Sequence, residues 1–346
     1  MKRFTPKLSS VAETASCKQR SLDDVVTDFL LRTCLLRPRK SAAAVDAALH
    51  CGLARATTLE EDAYTTLATG SVAEFYIEPM LPHISDIDVM CHYNISLEIP
   101  RGHPPPTQLP AEFHNCIRVS EIIDSHLPGY VYLRLRYFLI ECRDNDNYSA
   151  VEDNRGIYAP NISVLPRNDV HGPAMCTDPR DTKLLPVDIV VCVRCLSWPT
   201  QAADWQIRHR NYGWPDSATL DRVIRNGCDV VGVAHRQCRQ HGWMATRQWR
   251  LSFSRAEIVL INSWMPVQQI VYHMLRYFIK TERLTKFEAG TLSNYHIKTL
   301  MLWACELKPK RWWTENVNLV RMCVQLLQTL AKLLTDARCQ HYFIND

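Results

Sequence analysis

Apolar residues recur at helical spacing near the start of the chain. The residues that follow this pattern are Leu22, Val25, Val26, Phe29 and Leu30. Side chains three or four positions apart share one face of a helix. Ser21 and Asp24 have the spacing of a capping box, so the pattern predicts a helix that begins after Ser21. The Ala-rich stretch from Ser41 to Leu53 predicts a second helix.

Between Gly70 and about Ala234 the pattern changes to short strands. Residues 129–140 alternate between apolar and other side chains, which is typical of a strand, and residues 184–193 form the continuous apolar run of a buried strand. Residues 86–93 predict a further strand. The polar, Pro-containing segment 166–183 predicts a loop.

The remainder of the chain is predicted to be mostly helical from Trp249 onward. The segment from Pro215 to Gly227 has the start and stop residues of a helix, with glycine at its end. Ser254 and Glu257 have the spacing of another capping box. Two apolar stripes at helical spacing follow. They are Ile297, Leu300, Met301, Ala304 and Leu307, and then Val317, Val320, Val324, Leu327, Ala331 and Leu334. The pattern predicts an α+β fold with a mixed β-sheet in front and a helical lobe behind.

Composition excludes several classes of protein. The chain has 346 residues, 47% of them hydrophobic and 22% charged, with 11 Gly and a net charge of +4. Disordered proteins have fewer apolar residues, and collagen-like proteins have far more glycine. There is no apolar run long enough to span a membrane, and residues 1–20 lack the apolar core of a signal peptide. The 14 scattered Cys indicate reduced thiols, so we expect a cytoplasmic protein without membrane association.

Three carboxylates and a Gly-Ser dipeptide carry the candidate chemistry. Asp86 and Asp88 are two residues apart on a predicted strand and therefore share one face, where two carboxylates repel unless a cation neutralises them. Asp188 interrupts a buried apolar run, where a metal would supply the partner it needs. Oxygen ligands suit Mg²⁺ and two-metal phosphoryl transfer. The backbone N–H groups of Gly70 and Ser71 could contact phosphate oxygens. Taken singly, each feature is more often structural: a strand end, a turn or a capped loop.

These residues and several later segments resemble the nucleotidyltransferases of the cyclic GMP–AMP synthase and Mab (male-abnormal) family, in particular its cGAS-like receptors. The resemblance extends over nearly the whole chain from about Ser21, and its motifs occur in the family's order. They are Gly70-Ser71, residues 85–90 (SDIDVM), 187–189 (VDI), 197–199 (SWP), 249–254 (WRLSFS) with Ala256-Glu257, 293–299 (SNYHIKT) and 341–344 (HYFI).

The resemblance implies a role for each matching residue. Asp86, Asp88 and Asp188 would be catalytic and bind Mg²⁺ or Mn²⁺. The nucleotide-binding residues would be Gly70, Ser71, Arg250, Ser252, Arg276, Ser293 and Tyr295. Among these, Gly70 and Ser71 would hold the donor triphosphate, and Arg276 would lie near its phosphates. Tyr295 would stack on a base.

The resemblance also implies an organisation and a function. Residues 1–20 would be a flexible tail, 21–248 a core lobe with an N-terminal spine helix, and 249–346 a helical lobe of a bilobal nucleotidyltransferase. The protein would be an innate immune pattern-recognition enzyme. It would bind a foreign ligand and join two nucleoside triphosphates (ATP, GTP or a pyrimidine nucleotide) into a cyclic dinucleotide. Two alternatives stay open: a catalytically silent binding or scaffold protein, and an enzyme that forms linear oligonucleotides.

Local basic clusters are candidates for binding an activating double-stranded RNA or DNA, and a ligand-induced oligomer is a further expectation. They are Arg32, Arg37, Arg39 and Lys40 in one group, and Lys308, Lys310 and Arg311 in the other. Relatives with a zinc ribbon carry it after the Ser254 helix start, and no such insertion is present here. The nearest Cys/His cluster, Cys228 to His241, has loose spacing, so no structural zinc is expected. Gln268, Gln269 and Tyr272 lie where a DNA sensor carries Lys.

Overall fold

The structure is a computed structural model. It describes residues 21–33, 64–74, 87–113, 116–142, 147–161, 170–171, 174–177, 187–240, 242–281, 292–336 and 339–345. Strands occupy most of its first part. They are β1 Tyr64–Thr69, β2 Ile87–Pro100, β3 Cys116–Asp124, β4 Tyr130–Glu141, β5 Tyr148–Glu152, β6 Val170–His171, β7 Ala174–Thr177, β8 Val187–Cys195, β9 Cys228–Val231 and β10 Gln248–Ser252.

Helices begin and end the described part of the chain. They are α1 Leu22–Thr33, α2 Gly70–Glu74, α3 Ala203–Ile207, α4 Ser217–Asn226, α5 Gly242–Arg247, α6 Ser254–Asn262, α7 Pro266–Thr281, α8 Asn294–Leu307, α9 Lys310–Thr314 and α10 Leu319–Thr335. None of the helices in the described ranges combines the length and the apolarity needed to cross a bilayer.

The strands form one mixed sheet with the order β1-β2-β3-β4-β10-β9-β8-β7-β6, and β5 pairs with β4. Strand β2 also pairs with β8, so the pairings β2-β3-β4-β10-β9-β8 close into a circuit. The pairings of β2 with β3 and with β8 are both parallel. One edge of β2 carries β1 at residues 88–93 and β3 at residues 96–100. This long strand therefore joins the two halves of the sheet.

One face of the sheet packs on the helices to form a continuous core. The strands contribute Val131, Leu133, Val193, Val230 and Leu251 to it, and the helices contribute residues such as Leu260, Ile297 and Met301. All of these side chains are buried. The opposite face is left for polar residues around a small apolar group, Met90, Cys192 and Val231. This division determines where the candidate site lies.

Several predictions from the pattern are confirmed. The backbone N–H of Asp24 donates to Ser21 Oγ at 3.2 Å and that of Ser21 donates to Asp24 Oδ2 at 3.3 Å, so the capping box precedes α1. The strands predicted at 86–93, 129–140 and 184–193 correspond to β2, β4 and β8. The α+β mixture is as expected. The ten cysteines whose side chains are described are free thiols. The helix predicted at 41–53 lies outside the described residues.

Other predictions are wrong. The segment 166–183 contains the short strands β6 and β7. The chain is mostly helical from Trp249 onward, as predicted, but its first residues there are not: 248–252 form β10, which pairs with β4 and β9, and the helices begin at Ser254. The N-cap of α6 is Phe253, which makes no side-chain capping bond. The predicted capping partner Glu257 binds Lys298 instead.

The stripe predicted on α10 is only partly covered: Leu327 and Leu334 pack against the core, whereas Val324 and Ala331 are exposed. The buried residues of α10 are Leu319, Met322, Cys323, Leu326 and Leu330. Val324, from the predicted stripe, is 47% exposed. Apolar residues occur around much of this helix, so spacing alone does not select a face. The packing of α10 against α1, α7 and α8 selects it. On α8 the predicted stripe is buried except for Leu307, which is 57% exposed.

Candidate active site

Two of the three predicted acids lie side by side. Asp88 in β2 and Asp188 in β8 are direct partners in the parallel pairing of these strands, and neighbouring strands are about 4.8 Å apart. Neither carboxylate belongs to the apolar core, since both side chains are half-buried. The third acid, Asp86, lies outside the described residues. The sheet therefore pairs two carboxylates that are 100 positions apart in the sequence.

Gly70 lies against the first of these acids. Thr69, the last residue of β1, is the strand partner of Asp88, and Gly70 follows it with φ of +59°. A Cβ atom on Gly70 would lie 1.9 Å from Asp88 Oδ2 and 2.8 Å from its Cγ. Only glycine allows both this backbone conformation and this approach. The backbone of α2 thus begins in contact with the carboxylate, and Ser71 is the second residue of that helix.

This edge of the sheet suits a hard divalent cation. Its donors are the carboxylate oxygens of Asp88 and Asp188, and oxygen-only ligands are those that Mg²⁺ and Mn²⁺ prefer. The absence of a Cβ at Gly70 keeps open the space beside Asp88 Oδ2. Among the described residues no cluster of three or more His, Cys, Asp or Glu side chains occurs. The described donors fit a site in which waters and a substrate complete the coordination.

Register places Arg250 and Ser252 on the same face as the acids. Asp188 and Cys192 share one face of β8, Cys192 pairs with Val231, and Val231 pairs with Arg250. Cys192, Val231 and Arg250 thus form a row across the sheet. The row lies four residues along β8 from Asp188, or about 13 Å at 3.3 Å per residue. Ser252 lies one step farther, opposite Asp229; its hydroxyl is 3.1 Å from that of Ser254. Arg250 is exposed.

A buried ionic group supports this face and was not predicted from the sequence. Asp229 is fully buried; His92 Nε2 lies 2.9 Å from its Oδ1, and Arg255 Nε lies 3.0 Å from its Oδ2. His92 Nδ1 is 3.2 Å from the Thr65 carbonyl. Burial alone would raise the pKa of Asp229, but His92, Arg255 and Arg194 outweigh it and lower the pKa. Because Arg255 belongs to α6, the group joins that helix to β1, β2 and β9.

A second ionic group joins α2 to three later helices. Lys298 of α8 donates to both Glu74 and Glu257, with 2.8 Å to Glu257 Oε2. Tyr272 of α7 donates to Glu74 Oε2 at 3.1 Å. Glu74 and Tyr272 are each 1% exposed. Burial lowers the pKa of Lys298, but Glu257 and Glu74 outweigh it and raise the pKa well above its ordinary value. The helix that begins at Gly70 is therefore fixed at its other end.

The remaining predicted nucleotide contacts lie on the helices. Arg276 is 5% exposed, with its guanidinium 5.4 Å from the centre of the Tyr272 ring. Ser293 is the N-cap of α8, and its N–H donates to His296 Nδ1 at 3.0 Å. Tyr295 is 44% exposed, with His341 at a ring separation of 6.0 Å. Of these, Tyr295 presents a ring to solvent.

The candidate duplex-binding residues are only partly described. Arg37, Arg39 and Lys40 lie outside the described residues, while Arg32 pairs with Asp28 at 3.0 Å. The second group, Lys308, Lys310 and Arg311, is exposed, and Lys308 lies 5.4 Å from the Trp312 ring centre.

Gln268 and Tyr272, which lie where a DNA sensor carries Lys, are buried in this structure. Gln268 is 3% exposed and Tyr272 is 1% exposed. The side chain of Gln268 accepts from the Met265 N–H at 2.8 Å at the start of α7. Gln269 is half-buried and its amide donates to the Trp264 carbonyl at 3.1 Å. These side chains stabilise the helix start and the core.

Comparison with known families gives two matches in consecutive parts of the chain. Residues 144–263 match the Mab-21 protein nucleotidyltransferase domain. Residues 267–346 match the Mab-21 protein HhH/H2TH-like domain. The first match contains Asp188, Arg250 and Ser252, whereas Gly70, Asp86 and Asp88 precede it.

Curated relatives share modest identity with the chain. The protein male abnormal 21 of Caenorhabditis elegans is 26% identical over 165 residues, which is 46% of this chain and 43% of the relative. The mab-21-like protein of Drosophila melanogaster is 28% identical over 164 residues, with the same coverage. The matched region spans less than half the length of these relatives. The two domain matches and these relatives make the chain similar to Mab-21 proteins, first in a nucleotidyltransferase-domain segment and then in an HhH/H2TH-like segment.

Proposed function

We propose that this chain is a cytoplasmic, metal-dependent nucleotidyltransferase of the cGAS-like receptor type. On binding a foreign ligand, it joins two nucleoside triphosphates into a cyclic dinucleotide that serves as an immune second messenger. The observation that carries the proposal is the direct pairing of Asp88 with Asp188 beside a glycine whose missing Cβ would collide with the Asp88 carboxylate. The division into a core lobe (21–248) with a spine helix and a helical lobe (249–346), and activation by double-stranded RNA or DNA, belong to the same proposal.

The residues at this edge have separate roles in the reaction. Asp88 and Asp188, with Asp86, would hold Mg²⁺ or Mn²⁺, and the bound cation supplies charge stabilisation to the phosphoryl group in flight. Asp188 orients the attacking ribose hydroxyl. Gly70 and Ser71 bring backbone N–H groups to the donor phosphates. Arg250 attracts phosphate or a nucleobase to the same face, and the half-exposed ring of Tyr295 stacks on a base.

The decisive experiment is a synthesis assay with product mass analysis. Purified protein is incubated with labelled nucleoside triphosphates, Mg²⁺ or Mn²⁺, and a panel of double-stranded RNA and DNA. We expect a phosphatase-resistant product with the mass of a cyclic dinucleotide. The variant Asp188→Asn should lose at least about 100-fold in rate, because removing a group that stabilises charge in the transition state costs about this much.

The control variant is Asp221→Asn, on the exposed face of α4. It also removes one negative charge, but at a position that is not part of the candidate site. It should retain the wild-type rate. A product that keeps its terminal triphosphate would indicate the linear-oligonucleotide alternative. Absence of any product with every ligand would indicate a binding or scaffold protein. Full activity of Asp188→Asn would contradict both enzymatic functions.

A further inference from the structure

A basic surface with an exposed aromatic ring lies beside β9 and β10. We call it the His235 surface and define it by His126, His235, Arg236, Arg239 and Trp243. His126 lies in the loop between β3 and β4, and the other four residues lie between β9 and β10. His126, Arg236 and Arg239 are exposed and His235 is half-buried. None of these residues belongs to the candidate active site or to the two predicted duplex-binding groups.

Within the part of the chain that the structure describes, the basic groups of this surface form no ion pair. In the described ranges, no carboxylate lies within 4 Å of His126, His235, Arg236 or Arg239, to judge from the ion pairs that these ranges contain. Burial lowers the pKa of His235, and the charges of Arg236, Arg239 and His126 lower it further. All three of these neighbouring groups are basic. The positive potential of the surface, which attracts polyanions, therefore comes mainly from the two exposed arginines.

Trp243 gives the surface a flat apolar ring. Its side chain is 52% exposed, and its ring contacts those of Tyr132 and Tyr158 at centroid distances of 5.1 and 5.3 Å. These contacts fix the ring in place while part of it faces solvent. Tyr130 contacts the His235 ring at 5.0 Å. Tyr130 and Tyr132 lie two residues apart on one face of β4, so the Trp243 and His235 rings that they contact lie on the same face of the sheet. A fixed, partly exposed indole on a basic surface is the combination on which unpaired bases stack.

Buried hydrogen bonds hold the surface in one conformation. The fully buried side chain of Gln248 accepts from the His235 N–H at 2.7 Å and donates to Ser125 Oγ at 2.9 Å. The Asn161 amide donates to the carbonyls of Ala245 and Gln248, both at 2.8 Å. The loop that carries His126 and the segment that carries Arg236 to Trp243 are thus tied together. A preformed surface loses little conformational entropy when it binds.

We propose that the His235 surface binds single-stranded nucleic acid. Arg236 and Arg239 contact backbone phosphates, and Trp243 stacks on an unpaired base. The exposed indole favours a single strand over a duplex, since duplex bases are already stacked on one another. It also favours nucleic acid over an acidic protein, which has no base to stack. Binding at this surface does not depend on the proposed enzymatic activity.

The test measures the fluorescence anisotropy of a labelled 20-nucleotide oligouridine in a salt series, without nucleoside triphosphates. We expect the double variant Arg236→Glu/Arg239→Glu to weaken binding at least tenfold. It should also make the slope of log K against log salt shallower by about 1.4, since each lost phosphate contact on a single strand contributes about 0.7. Trp243→Ala should weaken binding roughly 5- to 150-fold, the range for one stacked base.

Matched variants separate this interaction from general charge effects. Arg222→Glu/Arg225→Glu changes two exposed arginines of α4 and alters net charge equally, so it should retain tighter binding than the Arg236/Arg239 variant. Trp243→Phe keeps a ring and should restore most of the affinity lost in Trp243→Ala. Circular dichroism melts identify any variant that fails to fold, and the conservative Arg236→Gln/Arg239→Gln variant then replaces the charge reversal.

Four results would overturn the proposal. The first is equal loss of binding in the Arg222/Arg225 control. The second is binding of a labelled 20-base-pair RNA duplex as tightly as the single strand with no effect of Trp243→Ala. The third is displacement of the oligouridine by polyglutamate at the same charge concentration, which would indicate an acidic protein as the partner. No detectable binding of oligouridine or oligodeoxythymidine at low salt would also overturn it.

Discussion

At the scale of single residues, the candidate site depends on an atom that Gly70 lacks. The positive φ of Gly70 and the contact between its Cα and the Asp88 carboxylate act together. Another residue could adopt the positive φ at a modest cost in free energy. Its Cβ atom, however, would force Asp88 to move. Such a displacement would separate Asp88 from Asp188, its strand partner. The glycine therefore serves the position of the acids as well as the turn.

Gly70→Ala tests this role. We expect a loss of about 1–2 kcal/mol in the free energy of unfolding from the left-handed backbone, together with a loss of roughly 100-fold in nucleotidyl transfer, since small misplacements of reacting groups cost about this much. The measurements are denaturant unfolding and the synthesis assay. The matched control is Gly213→Ala, which has φ of +68° and nothing within 4 Å of an added Cβ. It should lose stability but not activity, and equal activity of the two variants would contradict the role.

At the scale of elements, the five-residue helix α2 is too short to be stable by itself. Glu74 at its end is held by Lys298 and Tyr272, which belong to α8 and α7. Lys298 is also held by Glu257 of α6. The helix that begins beside Asp88 is therefore positioned by three helices that follow the sheet in sequence. This is a direct physical link between the acids and the helical part of the molecule.

Lys298→Met should break this link. It leaves the buried carboxylates of Glu74 and Glu257 without their cation, and loss of one partner from a buried pair costs about 3–5 kcal/mol. We expect a large decrease in the free energy of unfolding by urea. Adding Glu74→Gln in the double variant should recover part of it, because one uncompensated charge is removed. Lys310→Met at an exposed position of α9 is the control and should change stability by less than about 0.5 kcal/mol. A Lys298→Met protein as stable as this control would show that the pair contributes nothing.

At the scale of the whole molecule, β2 connects the sheet, because it pairs with β1, β3 and β8. It carries Asp88 at one end, His92 in the supporting ionic group, and Glu98 near the other end. Glu98 is 3% exposed, and its Oε2 has no hydrogen-bond partner among the described residues. Burial raises the pKa of Glu98 well above its ordinary value, with a further contribution from Cys195. The centre of the sheet therefore holds a carboxyl group whose protonated form is favoured by folding.

This group makes the stability of the whole molecule depend on pH. The folded-state pKa of Glu98 is raised, so its contribution is most favourable below the ordinary Glu pKa and is lost as pH rises through the folded-state pKa. Glu98→Gln mimics the protonated form. At pH 8 we expect Glu98→Gln to have a free energy of unfolding about 1 kcal/mol larger than that of wild type, which corresponds to a melting temperature roughly 2 °C higher. Near pH 4 the two proteins should be equally stable. Glu141→Gln, at an exposed strand end, should show no such trend. A difference that is constant with pH would contradict the assignment.

The sequence predicted features that depend on near neighbours. The capping box at Ser21 and the strands around Asp88, Tyr132 and Asp188 follow from spacing within a few residues, where local hydrogen bonds and periodic burial operate. The candidate acids were also recognisable, because a carboxylate within an apolar strand is costly without a partner. The buried face of α10 was not predictable, because apolar residues lie around most of this helix and its neighbours determine which of them are covered.

The sequence by itself determined the α+β class, the positions of β2, β4 and β8, and the identity of the candidate acids. Only the tertiary structure decided that Asp88 is paired with Asp188, that Glu257 binds Lys298 instead of capping its helix, and that residues 248–252 complete the sheet. The reason is that strand register and buried ion pairs join residues far apart in the chain. Their energies depend on which groups lose water together, and local spacing does not contain that information.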